Sequence, residues 1–110
     1  MRKMSVAKFA IGQVLRHQAY AFRGVVFDVD PEFSDSTAAR ETILVEGRSR
    51  KDQPFYYLLA ENGRNPYVAY VSEQSMVLDT SDEPLSHPQF DDLFERDETG
   101  SYRFRSMMMN

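Results

Sequence analysis

Asp28 and Asp30 sit two residues apart in the segment Phe22-Arg23-Gly24-Val25-Val26-Phe27-Asp28-Val29-Asp30, so in an extended chain their carboxylates share a face. Paired carboxylates of this kind can exchange protons with a substrate or hold a cation. His17 and His87 are the only histidines, and beside Asp28 or Asp30 they supply metal donors by type, though nothing has metal-ligand spacing. Each also has a plainer role. Asp30-Pro31 starts a turn, and the two carboxylates close a strand and pair with Arg23 or a lysine. His17 ends a strand with its ring half buried. His87 precedes a helix opened by Pro88, where its ring can meet free backbone N–H groups. No Gly-x-Gly-x-x-Gly, P-loop or Gly-x-Ser-x-Gly motif accompanies these groups. The absence of cysteine excludes disulfides, iron–sulfur clusters, Cys-ligated zinc and a thiol nucleophile. The expectation is a protein that is not an enzyme, with no catalytic residue, no cofactor and no metal.

Charge is the second source of chemistry. The net charge of −4 argues against strong nonspecific nucleic-acid binding. Its distribution is uneven. Met1 to Phe27 carry Arg2, Lys3, Lys8, Arg16 and Arg23 and no acid, while Asp79 to Glu98 carry eight acids against Arg96 alone. A second basic group is Arg48-Ser49-Arg50-Lys51. Arg16, Arg23, Arg48, Arg50 and Lys51 are therefore the candidate phosphate-binding residues, if they converge. Tyr56, Tyr57, Tyr67 and Tyr70 are candidates for an oligomer or partner interface, because tyrosine joins apolar area to a polar tip. Strand alternation requires about half of them to face the core.

The elements that must position these groups are mostly strands. Ala10 to His17 reads as a first strand and Phe22 to Val29 as a second, with Val25, Phe27 and Val29 on one side. Asp30-Pro31 ends it. Glu32 to Lys51 reads as an insertion, with a short helix capped by Ser36 or Thr37, running through Ala38 to Glu41 and closed by Gly47. Phe55 to Ala60 and Tyr67 to Val71 form a third and fourth strand around Asn62-Gly63, with a turn reaching towards Pro66. Met76 to Leu78 makes a fifth. A helix then runs from Pro88 to about Arg96 with Phe90, Leu93 and Phe94 on one face. At 110 residues with 42% hydrophobic content, this is one small folded domain. The expected fold is mainly β: a small SH3-like barrel of about five antiparallel strands, with a helical insertion and a C-terminal helix. Val14, Val25, Phe27, Leu58 and Val71 are its expected core. The strand Phe55 to Ala60 is apolar on both faces, so the insertion, the C-terminal helix or another subunit must cover the second face.

Four segments resemble one family in the right order: Lys8 to His17, Phe22 to Pro31, Lys51-Asp52-Gln53-Pro54-Phe55-Tyr56, and Pro66 to Gln74. His87-Pro88 also falls where that family has it. The family is the HspQ heat-shock proteins, whose domain is also called YccV-like or hemimethylated-DNA-binding. One position departs: after Phe55-Tyr56 the family commonly has histidine and this chain has Tyr57, so no role of that histidine is carried over.

The resemblance implies a cytoplasmic, SH3-like stress-response protein that self-associates, with a homotrimer favoured. It further implies a role in degrading unstable or denatured proteins, as an adaptor or enhancer of an ATP-dependent protease. The alternative it implies is a module binding hemimethylated DNA. Residues 1–7 are then an N-terminal segment, 8–97 the domain and 98–110 a flexible tail. The expected partners are a second copy of the chain, a protease or its unfolded substrates, and DNA under the alternative. No membrane partner is expected, because the apolar runs are far shorter than a membrane span and the N-terminal stretch lacks a signal-peptide core.

Overall fold

Runs of β-branched and aromatic residues broken by Pro, Gly and Asp set the strand pattern. In the computed structural model, which describes residues 6–38, 43–45, 50–62, 65–81, 83, 85, 87–96 and 102–104, the elements follow in this order. They are β1 (Val14–His17), β2 (Arg23–Asp30), α1 (Asp35–Ala38), β3 (Ile43–Val45), β4 (Phe55–Asn62) and β5 (Asn65–Ser72). After a 3-10 turn at Glu73–Ser75 come β6 (Met76–Leu78), α2 (Phe90–Leu93), β7 (Phe94–Arg96) and β8 (Tyr102–Phe104). The main sheet has the order β3-β5-β4-β2-β1-β6, and β7 pairs with β8 separately. Five neighbouring strands, β5 to β6 in that order, are antiparallel, while β3 adds to β5 in parallel. Among the described residues no pairing joins β3 to β6, so the sheet is open. This mainly β arrangement is compatible with an SH3-like fold.

Two side-chain layers pack against the sheet. On one face lie Leu15, Val26, Tyr56, Leu58, Ala60, Ala69, Val71 and Met76, closed by Phe9. On the other lie Val25 and Leu59 with Leu85 and Phe94, flanked by Val14, Phe27, Val68, Phe90 and Leu93. The double apolar face of β4 is thus covered from within the chain. The C-terminal segment lies over Leu59, and Phe33 of the insertion packs edge-on against Phe55 at 5.1 Å. Gly24 lets β2 and β4 approach, since a Cβ there would meet Leu59 O at 2.6 Å.

A register shift between Val26 and Asp28 marks a β-bulge at Phe27. The extra residue breaks the expected alternation of Val25, Phe27 and Val29: Val25 joins the second layer, and Val29 packs on the first. Phe27 is only half buried, which corrects its assignment to the core interior, and Val14 likewise sits at the margin. Downstream of the bulge, Asp30 pairs with Phe55 and so faces the same side as Tyr57.

Other expectations also change. Ser36 and Thr37 lie inside α1 rather than capping it. The helix is described as Asp35–Ala38, the rest of the expected run to Glu41 lies outside the described residues, and Ile43–Val45 forms a strand because the apolar edge of β5 offers it a ladder. Gly47 lies outside the described residues. The β4–β5 pairing continues to Asn62 opposite Asn65, so the turn is tighter than one reaching Pro66; Gly63 itself is outside the described residues. The C-terminal helix is one turn long. From Phe94 the backbone extends, because a four-residue helix propagates poorly and β8 offers strand pairing instead. The tail expected from residue 98 therefore contains a strand at Tyr102–Phe104.

Candidate interaction surfaces

The four described basic candidates, Arg16, Arg23, Arg50 and Lys51, do not form one face. Arg23, at the start of β2, points into acid. Its Nε lies 3.2 Å from Asp79 Oδ2 and 4.0 Å from Glu61 Oε1, and its Nη1 lies 3.5 Å from Glu83 Oε2. Its Nη2 donates to the carbonyl of Glu83. Glu61 is across the ladder from Arg23, and Asp79 is brought close by its own N–H, which donates to Val14 O at 2.9 Å. With 84% of its side chain shielded and three carboxylates around it, Arg23 is committed to internal ion pairing rather than to phosphate. Arg16, opposite Arg23 on β1, is exposed.

Arg50 and Lys51 belong to the other end of β2. Phe33 N–H donates to Lys51 O at 3.1 Å, and the Lys51 ammonium lies 4.9 Å from the Phe33 ring centre. Arg50 pairs with Asp52 at 2.6 Å, both largely in solvent. Gln53 fixes this loop: its amide nitrogen donates to Arg50 O and to Gln74 Oε1, and its oxygen accepts from Gln74 N–H. Seven residue steps of strand separate Arg23 from Asp30, up to about 23 Å at roughly 3.3 Å per residue. Arg48 lies outside the described residues.

The tyrosines divide as strand alternation demands. Tyr56 and Tyr70 are 0% exposed, which corrects their assignment to an interface. Tyr57 and Tyr67 are half buried. Tyr56 donates to Glu73 Oε2 at 2.6 Å and accepts from Phe9 N–H, holding the segment before β1 against the 3-10 turn. Burial, then the hydrogen bond to Glu73, pushes its phenol up to about 12. Tyr57 and Tyr70 both donate to Asp30 Oδ2, at 2.9 and 2.7 Å. Burial and then this bond hold Tyr70 well above the usual phenol range, and burial also raises Tyr67. Among the described residues Asp30 is therefore held by tyrosines rather than by Arg23 or a lysine, and Asp28 is exposed with its carboxylate on the N–H of Val29.

The histidines do local work. His17 is buried, and its Nδ1 accepts the N–H groups of Ala19 and Tyr20, both at 3.0 Å. The ring ends β1 as expected, more buried than expected. His87 Nδ1 accepts from Gln89 N–H at 3.1 Å ahead of α2, so its Nε2 proton points to Tyr67 O at 3.2 Å. Burial lowers its basicity. Among the described residues no three His, Asp or Glu side chains are grouped to hold a metal ion.

A cleft of about 550 Å³ opens beside the Arg23 cage. One side is aromatic: Tyr20 lies 4.8 Å from His17, which lies 5.1 Å from Phe22. Glu61 and Glu83 stand with Arg23 on its polar side, and Arg16 also lines it. Tyr20, Glu61, Asp79 and Glu83 were not singled out by sequence reasoning. The signal available for Asp79 and Glu83 was the complementarity between the basic N-terminal third and the acidic stretch beginning at Asp79.

A family model described as hemimethylated DNA-binding protein YccV like matches residues 7–101 of the chain. No solved structure matches it. Among the described residues no helix is long and apolar enough to cross a membrane.

Proposed function

This chain belongs to the YccV-like family, and on that premise we propose that it is a non-enzymatic stress protein that modulates degradation of unstable or denatured proteins. In this reading it is a cytoplasmic adaptor or enhancer that contacts an ATP-dependent protease or the protease's unfolded substrates, and it works as an oligomer, a homotrimer being favoured. The observation that carries it is the arrangement of charge. Arg23 is neutralised by Asp79, Glu61 and Glu83, and the other described cations among the candidates are divided between two ends of β2. A phosphate backbone needs convergent cations. A polypeptide partner needs only complementary local charge and apolar contact.

The second reading, a hemimethylated-DNA-binding module, is favoured by the family description and by the exposed side chains of Arg16, Arg50 and Lys51. One pair of experiments separates the two. A purified ATP-dependent protease is given a denatured substrate with and without the protein, and hemimethylated, fully methylated and unmethylated duplexes are titrated over a range of salt. The first reading expects faster degradation and, at physiological salt, duplex affinity no better than nonspecific. Tight, salt-steep and hemimethyl-selective binding without any effect on degradation would replace it by the second. Sedimentation at micromolar concentration tests self-association, and a 12.8 kDa monomer would remove the trimer from the proposal.

A further inference from the structure

The cleft beside Arg23 combines three features. Its charged lining is Glu61 and Glu83 with Arg23 and Arg16; Arg23 is already ion-paired with Glu61, Glu83 and Asp79, and Arg16 is on an exposed side chain. Glu83 contacts Arg23 with Oε2 only, at 3.5 Å, and 77% of its side chain is exposed, so its carboxylate keeps acceptor capacity towards solvent. Tyr20 is 69% exposed although aromatic, and the His17 ring held beneath it fixes its position. His17 is in turn pinned by the N–H groups of Ala19 and Tyr20. The exposed ring is thus a preformed plate, held at a tilt against a buried partner.

An anionic ligand is disfavoured beside Glu83, since it would face the Glu83 and Glu61 carboxylates while Arg23 is already ion-paired. A plain hydrocarbon would leave Glu83 without gain. A guanidinium suits both walls: it is planar, stacks on an aromatic face and donates a two-pronged hydrogen bond to a carboxylate. An ammonium offers a point charge and stacks less well. We propose that this cleft binds the arginine side chain of an extended polypeptide, with Tyr20 as the stacking surface and Glu83 as the carboxylate partner. The proposal rests on the reading of a polypeptide partner and specifies what is recognised in it.

The test uses the full chain and three short peptides, acetyl-Gly-Xaa-Gly-amide with arginine, lysine or citrulline at the centre. Citrulline keeps the shape of arginine and loses its charge. Backbone amide shifts are followed during titration. Arginine is expected to move the amides of Tyr20, Ala21 and Glu83, lysine to bind several-fold more weakly, and citrulline to move none of them. Tyr20→Ala should weaken arginine binding about two- to fivefold, the usual range for an exposed cation–aromatic contact. Glu83→Gln should weaken it similarly and remove most of its salt dependence. Both side chains are exposed, and unchanged amide spectra away from the cleft verify that the variants fold. Shifts confined to other surfaces, equal binding of citrulline, no shifts at millimolar peptide, or a duplex that moves these same amides at lower concentration would each overturn the proposal. Peptide binding is read without a protease, so its failure leaves the degradation result standing, and the reverse also holds.

Discussion

Arg23 Nε stands 3.2 Å from Asp79 Oδ2, with only 16% and 7% of the two side chains reaching solvent. The contact ties the first residue of β2 to the residue just after β6, across the intervening β1. In surroundings this shielded the pair is worth most when it is broken from one side, because the remaining charge is left without a partner. Arg23→Met should therefore cost about 3–5 kcal/mol, read as a lower urea midpoint with unchanged slope. Asp79→Asn should cost less, about 1–3 kcal/mol, because Glu61 and Glu83 still face the guanidinium. An Arg23→Met protein as stable as the parent would show that the cage contributes nothing to folding.

The C-terminal segment is expected to be part of the fold. Phe94 is fully buried and stacks on Phe90 at 5.5 Å over the Val25 and Leu59 layer. Phe94→Ala should cost about 3–5 kcal/mol. Phe27→Ala, at the half-buried bulge, should cost about 1–2 kcal/mol. Truncation after Leu85 removes Phe90, Leu93 and Phe94 together and is expected to abolish cooperative unfolding. A truncated chain that still unfolds in one sharp transition would mean that the second layer holds without its cover.

Tyr70 joins three elements through one hydroxyl, which donates to Asp30 and accepts the N–H of Ser34 at 2.9 Å. Tyr70→Phe leaves that N–H and one carboxylate bond without the buried partner, and should cost about 1–3 kcal/mol. Tyr57→Phe loses the bond to the same Asp30 oxygen at a half-buried site, and should cost about 1 kcal/mol or less. Amide exchange at Ser34 provides the specific readout: it should accelerate in Tyr70→Phe and change little in Tyr57→Phe.

His87 makes the C-terminal attachment sensitive to acid. Burial lowers its folded-state basicity below the ordinary histidine value of about 6.5, so the neutral ring belongs to the folded state. The unfolded chain then takes up the proton first as pH falls. The contribution to stability is full above about pH 6.5 and is lost as the pH drops through the lower folded-state value. Protonation also turns Nδ1 into a donor facing Gln89 N–H. Acidification from neutral should lower the protection factors of Gln89 and Phe90, with exchange corrected for its intrinsic base catalysis, before those of the core amides of β4. His87→Gln should flatten that dependence, and pH-independent protection factors at Gln89 and Phe90 in the parent chain would contradict the assignment.

The strands β1, β2, β4, β5 and β6, the chain break at Asp30-Pro31, and the position of His87 ahead of a helix were legible in the sequence, because each depends on neighbours a few residues away. So was the need to cover a second apolar face on β4. The family could be read as well, since its segments are contiguous. What covers that face was decided only in three dimensions. Phe94 reaches Leu59 across 35 positions of sequence, and a helical pattern at Phe90, Leu93 and Phe94 gave way to a strand once β8 supplied backbone partners. The bulge at Phe27 had the same character. One additional residue reversed the faces downstream and carried Asp30 to the tyrosines, an outcome set by the β2–β4 register and invisible in β2 alone. Arg23 looked like a phosphate ligand by type. It became an internal ion pair because β1 and β6 fold Asp79 beside it, while Glu61 arrives from the far end of β4. Local chemistry is written in residue types, but the fate of a charge depends on which distant carboxylates share its low-dielectric surroundings.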